Sequence, residues 1–402
     1  MIHVAVLGYG TVGSGVVEVI EGNKALINKR ALTEVNVKYI LDLLDFPGDP
    51  YEDKIVHSID VIVDDPEVSI VCETMGGVRA AYEFTKKALS KGKSVCTSNK
   101  EMVAKYGPEM LQLAKENNCN YLFEASVGGG IPIIRPINEA LTAEKLEAIT
   151  GILNGTTNYI LTKMQNEGAN FADVLKEAQD LGYAELHPEA DVEGFDACRK
   201  IAILSSLMVG KTVNYEDIYT EGITKITADD FVYAKAMGKS IKLLAMSKAL
   251  ENGTLAMVSP CMIDASSPLY MVQDVFNAVL VKGNMLGDAM FYGKGAGKLA
   301  TASAVVADVI ECARNMDTTL PIFWDAEVEK LVDIADVERA FFVRAKAADK
   351  DAVLEAFAGA EVVEVAGRDD FALVTSVMKE KDFAAKYEAL GDKVLNRIRV
   401  EA

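Results

Sequence analysis

The chain is 402 residues long, half apolar and one quarter charged. That is more than one ordinary hydrophobic core holds, and it predicts a folded chain of two or three domains rather than a disordered one. The formal net charge of -19 leaves no basic excess to meet a phosphate backbone, so a nucleic-acid binder is excluded. The cysteines (Cys72, Cys96, Cys119, Cys198, Cys261 and Cys312) are scattered with no CxxC pair, so neither a zinc knuckle nor a disulfide framework is expected. With no signal pattern and no bilayer-length apolar run, the expected place is the cytoplasm and the expected partners exclude membranes.

Ile2 to Leu7 is a short apolar run, followed at once by Gly8-Tyr9-Gly10-Thr11-Val12-Gly13 and then by a helical segment, SGVVEVIEGNKALINKR. Strand, glycine loop and helix in this order make a dinucleotide fingerprint. Gly8 permits the turn, Gly10 lets a pyrophosphate approach the backbone, and Gly13 lets helix and strand pack closely. A second strand at Val35 to Leu41 ends at Asp42, an acid placed to accept from an adenosine ribose. No arginine follows it, which leans toward NAD over NADP. Lys54 and the PGDP loop stand against that lean. Further strands at Ser69 to Thr74, Ser94 to Ser98 and Asn120 to Phe123 alternate with helices, the pattern of a doubly wound parallel sheet. Ligands in such sheets lie beyond the strand ends, where Gly76, Asn99, Lys100 and Glu124 fall. The glycine-rich run after Glu124 reads as a tight turn near the cofactor, the alternative being inward carbonyls that coordinate a hard cation with Glu124.

From Ile133 the pattern changes to an α+β unit. A strand meets a helix at Ile149 to Ile160, where Asn154, Thr156 and Thr157 offer caps and exposed donors. Beyond it comes the segment with the densest chemistry, GYAELHPEADVEGFDACRK (Gly182 to Lys200). Tyr183, Glu185 and Asp191 precede a helix on which Asp196 and Lys200 are four apart and share a face. A lysine among carboxylates can move a proton to or from a substrate oxygen. An ion pair on a solvated face has the same spacing and contributes only a few tenths of a kcal/mol, about what exposed pairs do. Antiparallel strands at Ile241 to Ala249 and Leu255 to Val258 are joined through an Asn252-Gly253 turn signal. Gly297 closes a second glycine loop before a helix at Ala302 to Cys312. The order strand, helix, strand, strand, helix, strand in 337–402 predicts a ferredoxin-like module.

The chain thus reads as α/β: residues 1–132 a Rossmann-type dinucleotide-binding domain, 133–300 a substrate-binding and dimerisation domain, 301–319 a helix returning to the nucleotide side, 320–336 a linker, and 337–402 a small βαββαβ module.

The motifs GYGTVGSG, TSNKE, GILNGTTNYIL, LGYAELHPEADVEGFDACRK and GKGAGKLATASAVVAD together resemble those of homoserine dehydrogenases, over roughly residues 1 to 319. The resemblance implies NAD- or NADP-dependent interconversion of L-homoserine and L-aspartate 4-semialdehyde, in the threonine, methionine and isoleucine route, by a homodimer or homotetramer. It implies Lys200, Lys100 and Asp196 as catalytic residues. Glu185, Asp191, Gly155, Thr156 and Tyr183 would meet the substrate. Gly8, Gly10, Thr11, Val12, Gly13, Asp42, Gly76, Asn99, Lys100 and Gly297 would hold the cofactor, and Glu124, Val127, Gly129 and Ile131 a sodium-type cation. The tail resembles a regulatory ACT module but lacks a clear glycine-rich ligand turn. Two other readings are another NAD(P)-dependent amino-acid or semialdehyde dehydrogenase, and a non-catalytic NAD(P) and amino-acid sensor.

Overall fold

The opening apolar run forms the strand Ile2–Leu7, whose last four residues are fully buried because helices cover both sheet faces. It is central to a six-stranded parallel sheet. In spatial order the strands are Ile55–Val56, Val35–Leu41, Ile2–Leu7, Val68–Glu73, Ser94–Thr97 and Tyr121–Leu122. The order reverses between Ile2–Leu7 and Val68–Glu73, so a crevice opens beyond Leu7 and Glu73, which are paired. The computed structural model describes residues 1–401. They fall into two compact units, the first made of Met1–Lys145, Ala202–Asn214 and Gly293–Glu329, the second of Leu146–Ile201, Tyr215–Tyr292 and Lys330 onward.

In the first unit, the segment expected as one helix after the glycine loop is two, Thr11–Gly22 and Lys24–Ala31, broken at Asn23. Gly22 and Asn23 are poor helix formers, and the Asn23 amide turns back onto the Val19 and Glu21 carbonyls. The later helix Lys298–Arg314 lies against the first of these. Close approach is possible because Gly15 has no side chain: a Cβ there would sit 2.9 Å from the Lys298 carbonyl oxygen and 3.1 Å from the Ala302 Cβ. The stretch expected as a linker carries the strand Asp325–Val328, paired with Lys211–Thr212, and buries Trp324. That indole fills the space beside Gly107, and its Nε1 donates to Thr212 Oγ1 at 3.2 Å.

The second unit is built on a mixed sheet. Its main path runs Gly287–Lys294, Phe276–Gly283, Leu146–Ile152, Lys239–Leu250, Gly253–Asp264, Val394–Val400, Glu338–Lys346, Asp370–Val374 and Glu361–Val363. The hairpin turn falls one residue earlier than the Asn-Gly signal suggests. Leu250 pairs with Gly253, leaving Glu251 and Asn252 as the turn. Gly253 is needed within the strand instead, at φ 142°, where a Cβ would lie 2.5 Å from the Lys330 carbonyl oxygen.

The tail has the expected βαββαβ order with one further two-residue strand, Met378–Lys379, before its second helix; helices Lys350–Ala356 and Glu380–Leu390 lie over a core of Phe341, Phe357, Phe371 and Phe383. Its sheet is continuous with that of the preceding domain, because Val394–Val400 pairs in parallel with Gly253–Asp264. The join is reinforced by buried charge. Arg399, 2% exposed, makes a fork to Glu380 at 2.9 and 2.7 Å and reaches Glu221 at 2.6 Å. Removing the cation leaves Glu380 with Arg339 alone and Glu221 with Arg397 alone, so Arg399→Ala should lower unfolding free energy by about 1.5–3 kcal/mol, the scale of hydrogen bonds to charged groups. Urea denaturation followed by circular dichroism measures this; a loss under about 1 kcal/mol would show the network to be incidental.

Candidate active site

The glycine loop is shaped by contacts that admit no side chain. Gly8 has φ 86°, and a Cβ at Gly13 would lie 1.8 Å from the Gly8 carbonyl oxygen, so only glycine fits at this place in the first turn of the helix. A Cβ at Gly10 would meet nothing within 4 Å, and Gly10 and Thr11 are exposed while Val12 is half-buried. The first turn of Thr11–Gly22 holds no acid, and its N-cap residue makes no side-chain cap. Its leading amides and positive dipole end are therefore left for an anion.

Asp42 braces the loop from the next strand end. One oxygen accepts from the Tyr9 amide at 2.7 Å and the other from the Leu44 amide at 3.0 Å. Beside it a cavity of about 420 Å³ is lined by Tyr9, Ser14, Glu18, Phe46, Asp49, Tyr51 and Lys298. The Tyr9 hydroxyl donates to Asp49, and burial together with that carboxylate pushes the phenol up to about 12. These features fit a dinucleotide: an open glycine backbone for the pyrophosphate, and an acid and aromatic rings where the adenosine belongs.

Other expected cofactor residues occupy the neighbouring loops. Gly76 is exposed in open space. Asn99 caps the helix Lys100–Glu116, accepting from the Met102 amide at 3.1 Å and donating to the Gly77 carbonyl at 2.7 Å. Lys100, half-buried, is therefore the first residue of that helix. Gly297, at φ 122°, is the N-cap of Lys298–Arg314, with no side-chain cap.

Glu124 serves the fold in a way its sequence context did not suggest. Its Oε1 accepts from the Ile133 and Ile134 amides at 2.6 and 2.9 Å, and its Oε2 from the Arg135 amide at 2.6 Å. The loop between, with Val127 and Ile131 buried and Gly129 at φ 58°, is clamped at both ends by this carboxylate. A Cβ on Gly129 would stand 2.2 Å from the Gly295 carbonyl oxygen. Behind it, buried Asp308 accepts from the Glu124 amide at 2.9 Å and pairs with Arg135 at 2.5 Å. Burial first, then the nearby Glu124 charge, raises its carboxyl to about 8. Among the described residues no group of three or more His, Cys, Asp or Glu is placed to hold a metal ion.

In the second unit the helix pair at Lys200 is buried, which settles the ambiguity of its spacing. Asp196 and Lys200 are 4% and 9% exposed. The Lys200 ammonium donates to Asp196 Oδ2 at 2.7 Å and to the Leu153 carbonyl at 2.8 Å, leaving a third N–H for a ligand. Asn154 ties the cluster together. Its side-chain oxygen caps the helix Gly155–Glu167, while its Nδ2 donates to Asp191 at 2.7 Å and Asp196 at 2.9 Å. The Asn-Gly-Thr-Thr junction signalled a cap; that its other amide end joins two acids needed the fold. Gly155 lets Leu153 and Asn154 turn in tightly, since a Cβ there would be 2.8 Å from the Val275 carbonyl oxygen. Thr156 donates to the Tyr183 carbonyl at 2.7 Å, and the Tyr183 ring meets Tyr159 edge-on. Glu185 is not drawn into the cluster: it is exposed, and its carbonyl accepts from Gln179 at 3.0 Å.

A parallel sheet with a fingerprint loop, and an amine held among carboxylates at the head of a buried helix, define a nicotinamide-dependent oxidoreductase. The family models for homoserine dehydrogenase and for its NAD-binding domain match residues 132–310 and 8–124. A homoserine dehydrogenase of Bacillus subtilis is 42% identical over 322 residues, 78% of this chain and 73% of the relative. A crystal structure of a homoserine dehydrogenase from Thiobacillus denitrificans superposes with a TM-score of 0.91 at 38% identity, covering all of this chain and 98% of the other. A hyperthermophilic archaeal homoserine dehydrogenase in complex with NADPH gives 0.67 at 29% identity over 80% of this chain and 99% of the other. The chain belongs to the homoserine dehydrogenase family.

The glycine geometry separates folding from binding. Gly13→Ala should fail to yield folded protein, whereas Gly10→Ala should melt near wild type and bind dinucleotide at least about tenfold more weakly, the scale of one blocked phosphate approach. Calorimetric titration with NAD checks both; wild-type affinity in Gly10→Ala would remove the loop from the binding site.

Proposed function

We propose that this chain oxidises L-homoserine to L-aspartate 4-semialdehyde and catalyses the reverse reduction, with Lys200 as proton carrier. The observation that carries the assignment is the buried Lys200 ammonium, held by Asp196 and the Leu153 carbonyl with one N–H to spare. A bound nicotinamide would supply the hydride acceptor or donor. In the reductive direction the spare Lys200 N–H meets the carbonyl oxygen as negative charge grows there, and passes it a proton. In the oxidative direction the neutral amine takes the hydroxyl proton. Asp196 and Asp191, joined by Asn154, hold the resulting ammonium in place. Lys100 is read as a second cation of the reaction. Tyr183, Thr156 and Glu185 are read as substrate-binding, Glu185 through the substrate ammonium.

Lys200→Met should keep the fold and lose about 10²–10⁴ in kcat, the range for a positioned acid or base. Stopped-flow absorbance of the reduced nicotinamide with homoserine measures it. An unaltered rate in a protein of wild-type Tm would take Lys200 out of the mechanism.

NAD is the favoured dinucleotide. Asp49 and Glu18 line the adenosine cavity and Asp42 braces Tyr9 beside it, Leu43 and Leu44 are exposed where a 2′-phosphate would need a cation, Lys54 is tied to the Val37 carbonyl at 2.8 Å, and Lys298 pairs with Glu18 at 2.8 Å. The archaeal neighbour with NADPH favours the other choice for that protein. The ratio of kcat/KM for NAD over NADP should exceed about tenfold, or roughly 1.4 kcal/mol, and Leu43→Arg should narrow it; equal efficiencies would sink the preference. A sodium-type cation at the 127–131 loop would draw on backbone carbonyls and the one lone pair that Glu124 Oε2 keeps. The same assay in sodium and in tetramethylammonium salts tests it, equal rates counting against it. The exposed Met290 and Tyr292 of the edge strand Gly287–Lys294 support assembly of two or four copies through that sheet.

A further inference from the structure

We propose that Glu73, outside any motif read from the sequence, is a positioning residue for Lys100: its buried side chain ties the two strand ends from which Asn99 and Lys100 are presented. The proposal rests on the reading of Lys100 as a cation of the reaction.

Glu73 is the last residue of Val68–Glu73 and is fully buried, an acid where the other buried residues of the strand are aliphatic or thiol. One oxygen accepts from the Met75 amide at 2.8 Å and the other from the Thr97 hydroxyl at 2.5 Å. Thr97 ends the adjacent strand, and its oxygen in turn accepts from the Asn99 amide at 3.0 Å. Asn99 closes the circuit: its amide group donates to the Met75 and Gly77 carbonyls at 3.4 and 2.7 Å, and its oxygen accepts from the Met102 amide. The first turn of Lys100–Glu116, which sets the direction of Lys100, is thus held through Glu73 to the strand that also packs on the dinucleotide loop. A Cβ on Gly8 would lie 3.1 Å from Met75 Cγ. A buried carboxylate is costly unless its hydrogen bonds are worth more than its lost hydration. Surface loops of a doubly wound fold do not need one. Its position under a catalytic loop is the expected place for such an outlay.

Both oxygens act as acceptors only in the ionised form, so the relay is pH-dependent. Burial raises the Glu73 carboxyl to about 7, against the opposing hydrogen bonds from Thr97, Met75 and Asn99. The titratable group facing it is Tyr121, from the strand Tyr121–Leu122, whose buried hydroxyl has no hydrogen-bond partner and whose ionisation burial and the Glu73 charge both oppose. Tyr121 therefore stays neutral through the range in which Glu73 titrates. Below that range the protonated acid must give up one of its two accepted bonds, and the turn loosens. Stability follows the opposite sign. A carboxyl raised in the fold contributes stability that is present below its unfolded value and lost as pH rises through about 7. Glu73→Gln should remove both dependences at once.

The test is a cycle of Glu73→Gln and Lys100→Met, each measured for kcat, KM for homoserine, Kd for NAD and Tm. The lone tryptophan gives a reading independent of turnover, because Trp324 packs on Gly107 of the same helix that Lys100 begins. Glu73→Gln should reduce kcat about 10- to 100-fold, the effect of a charge displaced by about 1 Å, with KM changed less than threefold. The wild type should show a change in Trp324 emission as pH passes through about 7, and Glu73→Gln should abolish it. In the Lys100→Met background the same substitution should have no further effect on kcat. Independent, multiplicative losses, or a kcat unchanged by Glu73→Gln while Lys100→Met is impaired, overturn the proposal and leave the reading of Lys100 intact. A Lys100→Met enzyme with full kcat overturns both. If Glu73→Gln does not fold, Thr97→Val removes the same link from its other side. The Thr97→Val loss must then be restored by Thr97→Ser, which keeps the hydroxyl, and a Thr97→Val enzyme with wild-type kcat overturns the proposal.

Discussion

A buried ammonium is the constraint from which the second unit is built. Lys200 is nearly out of solvent, and an amine taken from water must be repaid with acceptors of good geometry. The protein supplies them from two places: Asp196, one turn earlier on the same helix, and the Leu153 carbonyl from the end of Leu146–Ile152. That second acceptor obliges the strand to stop, the chain to turn and the helix Gly155–Glu167 to start at one spot. Asn154 occupies the spot, capping the helix and bridging two acids. Glycines make the crowding possible. A Cβ on Gly151 would meet the Leu153 side chain at 2.6 Å, and one on Gly222 the Val192 carbonyl at 2.2 Å. Sheet, helix starts and loop glycines all serve one small polar cluster.

The nucleotide-binding unit meets the inverse problem, an anionic cofactor on a chain of net charge -19. It does so with geometry rather than cations. Acids are kept out of the first turn of Thr11–Gly22, the amides there are left open, and carboxylates at the strand ends are assigned to backbone donors. Asp42 holds Tyr9 and Leu44, Glu73 holds Met75, and Glu124 holds three amides of the 133–135 turn. Negative side chains thus become loop braces, and the loops they brace are those that carry glycine fingerprints and lysines.

The tail shows how module and context part company. Its element order is that of a free-standing βαββαβ unit, and it has its own aromatic core. Yet Val394–Val400 extends the preceding domain's sheet, and Arg344 and Arg399 reach Asp230 and Glu221 outside the tail. Hydrogen bonds on a sheet edge are non-directional as to partner, so an edge left open by one domain is completed by whatever strand the chain brings to it.

Local rules made much of this protein legible before any coordinates. Strand runs, the glycine loop and the tail's element order depend on nearest neighbours, alternation and backbone freedom, which a sequence carries directly. The same holds for the candidacy of Lys200 and Asp196, since four residues on a helix always share a face. Whether that pair was a solvated decoration or a desolvated centre could not be read locally, because burial depends on what distant strands cover. Tertiary structure alone decided that Asn154 joins Asp191 to Asp196, that Glu124 is spent on three amides, and that Glu73 spans two strand ends. Each is a hydrogen bond between residues far apart or out of periodic register, and no pattern along the chain encodes a partner that only folding brings within 3 Å.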